Sequence, residues 1–117
     1  MPTHILQVAY YDALQELRAE MLRNAGYQVT SVLGNNEAMA LDATVIAAAD
    51  LVLVGFSADR SIRSAIVHWF KVHYPSTPVV ILQSHDCEMF PEADMATSSE
   101  DPASWLAEIA TTLRFKT

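Results

Sequence analysis

The chain has 117 residues, the length of one ordinary domain around a single core, which excludes a second domain. With 51% hydrophobic and 18% charged residues it is globular and not disordered, and three glycines leave no room for a flexible linker. Seven Lys and Arg against 14 Asp and Glu give a net charge of −7, which opposes binding to nucleic acid or to an anionic membrane surface.

No apolar run approaches the roughly 20 residues that span a bilayer, and Met1-Pro2-Thr3-His4 lacks the basic and apolar regions of a signal peptide. The single cysteine, Cys87, can form no internal disulfide. These features place the chain in the cytoplasm. There is no internal repeat.

Residues 5–9 are an apolar run of strand length. From Asp12 the pattern changes: Leu14, Leu17, Met21 and Leu22 recur at three- and four-residue steps, predicting a helix capped by Asp12 and stopped by Gly26. Residues 27–33 alternate as a second strand with Val29 and Val32 inward. Asn35, Asn36 and Glu37 then open an alanine-rich helix through Met39, Leu41, Val45 and Ile46, broken or bent at residues 42–44.

Leu51-Val52-Leu53-Val54 shows no alternation, as a strand covered on both faces of a parallel sheet should. Asp59 or Ser61 caps the next helix, whose inner stripe is read as Ile62, Ala65, Ile66, Trp69 and Phe70 before Tyr74-Pro75 ends it. Residues 78–82 repeat the buried-strand signature. Residues 85–91 are short for a crossover helix and contain Pro91, so a single turn or irregular loop is expected. Residues 93–97 suit a short edge strand, and Asp101-Pro102 is an N-cap and N1 pair opening a last helix buried through Trp105, Leu106, Ile109 and Leu113. The sum is one α/β domain over residues 1–117: a flavodoxin-like, doubly wound, five-stranded parallel sheet in the order 2-1-3-4-5, its fourth helix shortened or missing. Such sheets bind ligands at the carboxyl ends of the strands.

Four phrases, read in order, resemble response-regulator receiver domains over nearly the whole chain. They are Ile5-Leu6-Gln7-Val8 with the helix leading to Gly26-Tyr27-Gln28-Val29, the run from Asp50 to Ser57, the run Pro75-Ser76-Thr77-Pro78-Val79-Val80-Ile81-Leu82, and Ala93-Asp94 with Asp101-Pro102. Receivers transfer a phosphoryl group to an aspartate ending the third strand, with Mg²⁺ bound by that residue and by an acidic pair after the first strand. Here the acceptor position is Gly55 and the acidic pair falls at Ala9 and Tyr10. The switch hydroxyl falls at Gln83, with Ser84 beside it, and the expected lysine at Ser98. All of these positions depart from the pattern, so the resemblance is to a degenerate, or pseudo-, receiver. It implies a signalling module related to two-component phosphorelays that is no enzyme, carries no phospho-acceptor, metal or cofactor, and works through a protein partner. The shortened fourth helix removes support for the family's usual dimer, while a homodimer of another kind is admitted.

Other residues carry weaker signals. Tyr10 and Tyr11 could fill the vacated pocket or face a partner, but strand alternation already accounts for one buried and one exposed ring. Ser57 could accept a phosphate, yet a lone loop serine is ordinarily a turn residue. His85, Asp86, Cys87 and Glu88 are metal-ligand types, but four adjacent residues do not converge on one ion and no second cluster supports them. His68 and His73 lie five apart, off the shared helical face of a metal pair. Neighbouring Asp86 and Glu88 disfavour the Cys87 thiolate. The expected interaction surface is therefore the rim of Tyr10, Tyr11, Phe56, Ser57, Gln83, Ser84 and His85. The alternative is a small-molecule sensor using the same strand-end cleft. Met1 and a last helix closing near Phe115 fit a complete small protein better than a fragment of a larger regulator.

Overall fold

The computed structural model describes residues 3–83, 90–98 and 101–116. In chain order the elements are β1 (His4–Ala9), α1 (Asp12–Asn24), β2 (Gln28–Leu33), α2 (Asn35–Met39), α3 (Ala43–Ala47), β3 (Leu51–Val54), α4 (Arg60–His73), β4 (Val79–Gln83), β5 (Met95–Ser98) and α5 (Pro102–Lys116). The five strands form one parallel sheet in the order β2-β1-β3-β4-β5, as the sequence predicts.

The uninterrupted apolar runs occupy the centre of the sheet because both faces are covered there. Side chains alternate along each strand and so divide into two cores. Leu6, Val8, Val52, Val54 and Ile81 face α2, α3 and α4, where they meet Ala38, Ile46, Ile66, Val67 and Phe70. Ile5, Leu51, Leu53, Val80 and Leu82 face α1 and α5, where Leu22, Trp105 and Ile109 close over them. Val29 and Val32 of β2 serve opposite faces, being three residues apart.

Several local expectations need correction. Asp12 does not cap α1: Tyr11 takes the N-cap position in extended geometry, and Asp12 is the first helical residue, where its charge favours the helix dipole. Gly26, at φ +100°, ends that helix in the left-handed conformation a side chain would resist. The inner stripe of α1 is Arg18, Ala19 and Leu22, while Leu17 is half exposed. The stripe of α4 is rotated likewise: Arg63, Ile66, Val67 and Phe70 are buried, whereas Ile62 and Ala65 are exposed. In both helices an arginine takes an inward position that apolar periodicity assigns to its neighbours.

The alanine-rich segment is split into α2 and α3 as expected, with Asp42 preceding the second piece. Asp101 caps α5, its carboxylate accepting from the Ala103 N–H at 3.2 Å and from the Ser104 hydroxyl at 2.8 Å. Among the described residues no helix stands between β4 and β5; residues 90–94 form a turn closed by an Ala93 N–H bond to the Phe90 carbonyl. Asp94 then anchors the edge strand, its Oδ2 accepting from the Val79 N–H at 2.7 Å and from Lys71 Nζ at 2.9 Å. Among the described residues, no helix is long and apolar enough to cross a membrane.

Candidate functional site

The parallel register brings the ends of β1, β3 and β4 side by side. Val8 lies opposite Val54 and Val54 opposite Ile81, and the Gly55 N–H donates to the Val8 carbonyl at 2.8 Å. Ala9 and Gly55 therefore meet at the crest of the sheet, with Tyr10, Tyr11, Phe56 and Ser57 in the loops beyond them.

What fills that crest is a side chain that periodicity alone does not place there. Arg18 of α1 is only 5% exposed, and its Nη1 lies 3.0 Å from the position a Cβ on residue 55 would take. A side chain at that position requires the guanidinium to give by a few tenths of an ångström, so Gly55 and Arg18 pack closely. The guanidinium also stacks over the Phe56 ring at 5.1 Å from its centroid, a favourable cation–π geometry. Among the described residues no carboxylate pairs with Arg18. Burial pulls its pKa down to about 10, which leaves it cationic at neutral pH in an environment that penalises the charge.

A second buried arginine stands on the opposite face. Arg63 of α4 is 3% exposed, donates from Nε to the Ala58 carbonyl at 2.8 Å, and stacks over Phe90 at 4.9 Å. Arg60 lies over the same ring at 5.6 Å. Near it Tyr10 turns its hydroxyl to Asn35 Oδ1 at 2.7 Å, and Asn35 donates in turn to the Ile62 carbonyl at 2.8 Å. Burial raises the Tyr10 pKa well above the ordinary phenol value, and the positive charge of Arg63 opposes that rise.

The remaining rim residues separate. Tyr11 is 56% exposed beside half-buried Tyr10, which is the division strand alternation predicts. Phe56 is half-buried under Arg18, Ser57 is exposed, and Gln83 is half-buried at the end of β4. Ser84 and His85, like the Asp86-Cys87-Glu88 group, lie outside the described residues. His68 pairs with Glu92 at 2.8 Å on the surface, and His73 bonds to the Trp69 carbonyl. Ser98, at the position of the expected lysine, is exposed at the end of the edge strand.

These residues do not fit Mg²⁺. Ala9, Tyr10 and Gly55 present no carboxylate, the Arg18 guanidinium lies against Gly55, and among the described residues no cluster of three His, Cys, Asp or Glu could hold a metal. Comparison of the fold, however, is unambiguous. A receiver domain from Methanospirillum hungatei JF-1 superimposes with a TM-score of 0.81 at 15% identity, over 99% of this chain and 97% of that one.

The fold is that of a CheY-like receiver domain. A receiver from Clostridium thermocellum gives a TM-score of 0.84 at 16% identity, covering 97% of this chain and 96% of the other. The chemotaxis protein CheY4 of Vibrio cholerae gives 0.79 at 18% identity, covering 95% and 98%. No protein-family model and no curated protein matches the sequence.

Arg18 and Arg63 are the site residues that the apolar stripes overlook. A signal for the first is in the sequence: Arg18 stands four residues before Leu22, and so shares the helical face of the most deeply buried residue of α1. Its counterpart is the side chain missing at Gly55.

Proposed function

We infer that this chain is a non-catalytic, pseudo-receiver module of the cytoplasm that signals by binding a protein partner, independently of aspartyl phosphorylation. The observation carrying this reading is the Arg18 guanidinium lodged 3.0 Å from the position of a residue-55 Cβ. A phosphoryl-transfer site of the receiver kind needs a carboxylate acceptor and a cation held by further carboxylates. The response regulator TrrA of Thermotoga maritima, a structural neighbour at 17% identity, is known in complex with Mg²⁺-BeF. This chain instead offers an arginine and aromatic rings at the strand ends, an arrangement suited to holding a shape and not to binding a metal.

The rim of Tyr10, Tyr11, Phe56, Ser57, Gln83, Ser84 and His85 is the surface we assign to the partner, with exposed Tyr11 its apolar anchor. Two measurements test the two halves. Incubation with acetyl phosphate and Mg²⁺, followed by intact mass measurement, leaves the mass unchanged; a stoichiometric acid-labile adduct overturns the reading. A photo-crosslinking amino acid at position 11 captures a discrete partner in the native cell, whereas the same group at exposed Gln28, at the opposite end of the sheet, does not. Equal capture from both positions removes the strand-end assignment.

A further inference from the structure

Arg18 also forms one wall of a cavity that adjoins the strand-end rim and shares Phe56 with it. The space measures about 350 Å³ and lies between α1 and α5, lined by Leu14, Leu17, Met21, Trp105, Phe56 and Arg18. That volume is within the range of small-molecule sites, roughly 300–1,000 Å³, and its lining has their usual make-up: apolar and aromatic walls with one placed polar group. A comparable cavity of about 320 Å³ beside Lys71 differs in a decisive respect, because Asp94 already neutralises that lysine at 2.9 Å. Arg18 has no such partner among the described residues, although it is almost wholly removed from solvent.

We propose that the α1–α5 cavity binds a small monocarboxylate with an apolar or aromatic body, its carboxylate received by Arg18 and its body packed against Leu14, Met21 and Trp105. A planar guanidinium matches a carboxylate through two parallel hydrogen bonds, which a lone alcohol or amide cannot reproduce. One buried positive charge is balanced by one negative charge. A phosphate dianion would leave an uncompensated charge in the same low-dielectric space and is disfavoured. The half-exposed Leu17 lines the cavity while remaining open to solvent.

Hydrocinnamate is the probe, hydrocinnamyl alcohol its uncharged counterpart and inorganic phosphate the anion without an apolar body. Titration is followed by the Trp105 indole and Arg18 Nε resonances in ¹H–¹⁵N spectra. Hydrocinnamate shifts both saturably at millimolar concentration or below, and binds at least about tenfold tighter than the alcohol. Arg18→Met abolishes that preference. Leu17→Glu, a change at a half-exposed lining position, weakens hydrocinnamate more than the alcohol by placing a like charge beside the carboxylate's site. Equal binding of acid and alcohol, saturation by phosphate at the same resonances, or indifference to Leu17→Glu each overturns the proposal. The partner-binding reading shares Arg18 and Phe56 with this cavity but is tested by different readouts, intact mass after acetyl phosphate and capture at position 11, so the two fail separately.

Discussion

Placing an aspartate at residue 55 tests whether the Arg18 guanidinium is seated against that position. A Cβ at this position meets Arg18 Nη1 at 3.0 Å, the Val8 carbonyl oxygen at 3.5 Å and the Ala9 Cα at 3.6 Å. The tight contact is with the far end of a flexible side chain, so a shift of a few tenths of an ångström relieves it. Gly55 has no positive φ, so a side chain there brings no backbone strain. Gly55→Ala is then nearly neutral, because an unfolded-state gain of about 0.4–1 kcal/mol opposes the displacement of the guanidinium.

Gly55→Asp adds a carboxylate within reach of a buried cation. A hydrogen bond between charged groups contributes about 1.5–3 kcal/mol, against which stand desolvation of the new carboxylate and its repulsion by the Val8 carbonyl. We expect a net gain of about 1 kcal/mol at about pH 7, raising Tm by about 3–6 °C for a domain of this size. The guanidinium lowers the folded pKa of the introduced carboxyl below its unfolded value of about 3.9, so the gain is present above that value and disappears as pH falls through the folded pKa. Urea unfolding of the four proteins of a Gly55→Asp and Arg18→Met cycle isolates the pair. A coupling below about 0.5 kcal/mol, or a Gly55→Asp protein destabilised by more than about 1 kcal/mol, refutes the placement of Arg18. The variant also remains inert to acetyl phosphate, since Ala9 and Tyr10 still supply no acid to hold the metal.

Tyr10→Phe removes the hydroxyl that bonds to Asn35 and lowers stability by about 0.5–1.5 kcal/mol at about pH 7, measured by urea unfolding. Because burial raises the Tyr10 pKa in the folded state, the native protein holds this proton longer than the unfolded chain does, and stability falls as pH rises past the unfolded value of about 10. The same variant has a shallower alkaline loss of stability; an unchanged slope contradicts the assignment. Asp94→Ala leaves the buried Val79 N–H without its carboxylate acceptor and takes the ion pair from Lys71, which keeps its bonds to the Pro75 and Thr77 carbonyls, costing about 1–3 kcal/mol by urea unfolding, with faster hydrogen exchange at the β4–β5 edge. A loss below about 0.3 kcal/mol shows that water replaces Asp94 without penalty.

Much of the architecture was legible because it rests on local chemistry. Residues 51–54 and 78–82 are apolar without alternation, which only a doubly covered strand tolerates, and Gly26 and Asp101-Pro102 mark helix ends by conformational preference and capping. These features suffice for a parallel sheet, and the expected strand order is the order found. The helical stripes were less legible. A rule that places apolar residues inward puts Ile62 and Leu17 in the core, whereas Arg63 and Arg18 are buried there, because phenylalanine rings and backbone carbonyls can receive a guanidinium as well as aliphatic packing can.

By itself the sequence determined an absence: Ala9, Tyr10 and Gly55 provide no carboxylates, and no conformation can supply them. Only the tertiary structure decided what stands in their place. Arg18 and Gly55 are 37 positions apart (55 − 18) on different elements, and their complementarity exists only once α1 packs against the sheet and the β1–β3 register brings residue 55 beneath it. The missing side chain is a property of one residue, but the space it leaves is a property of the packed fold.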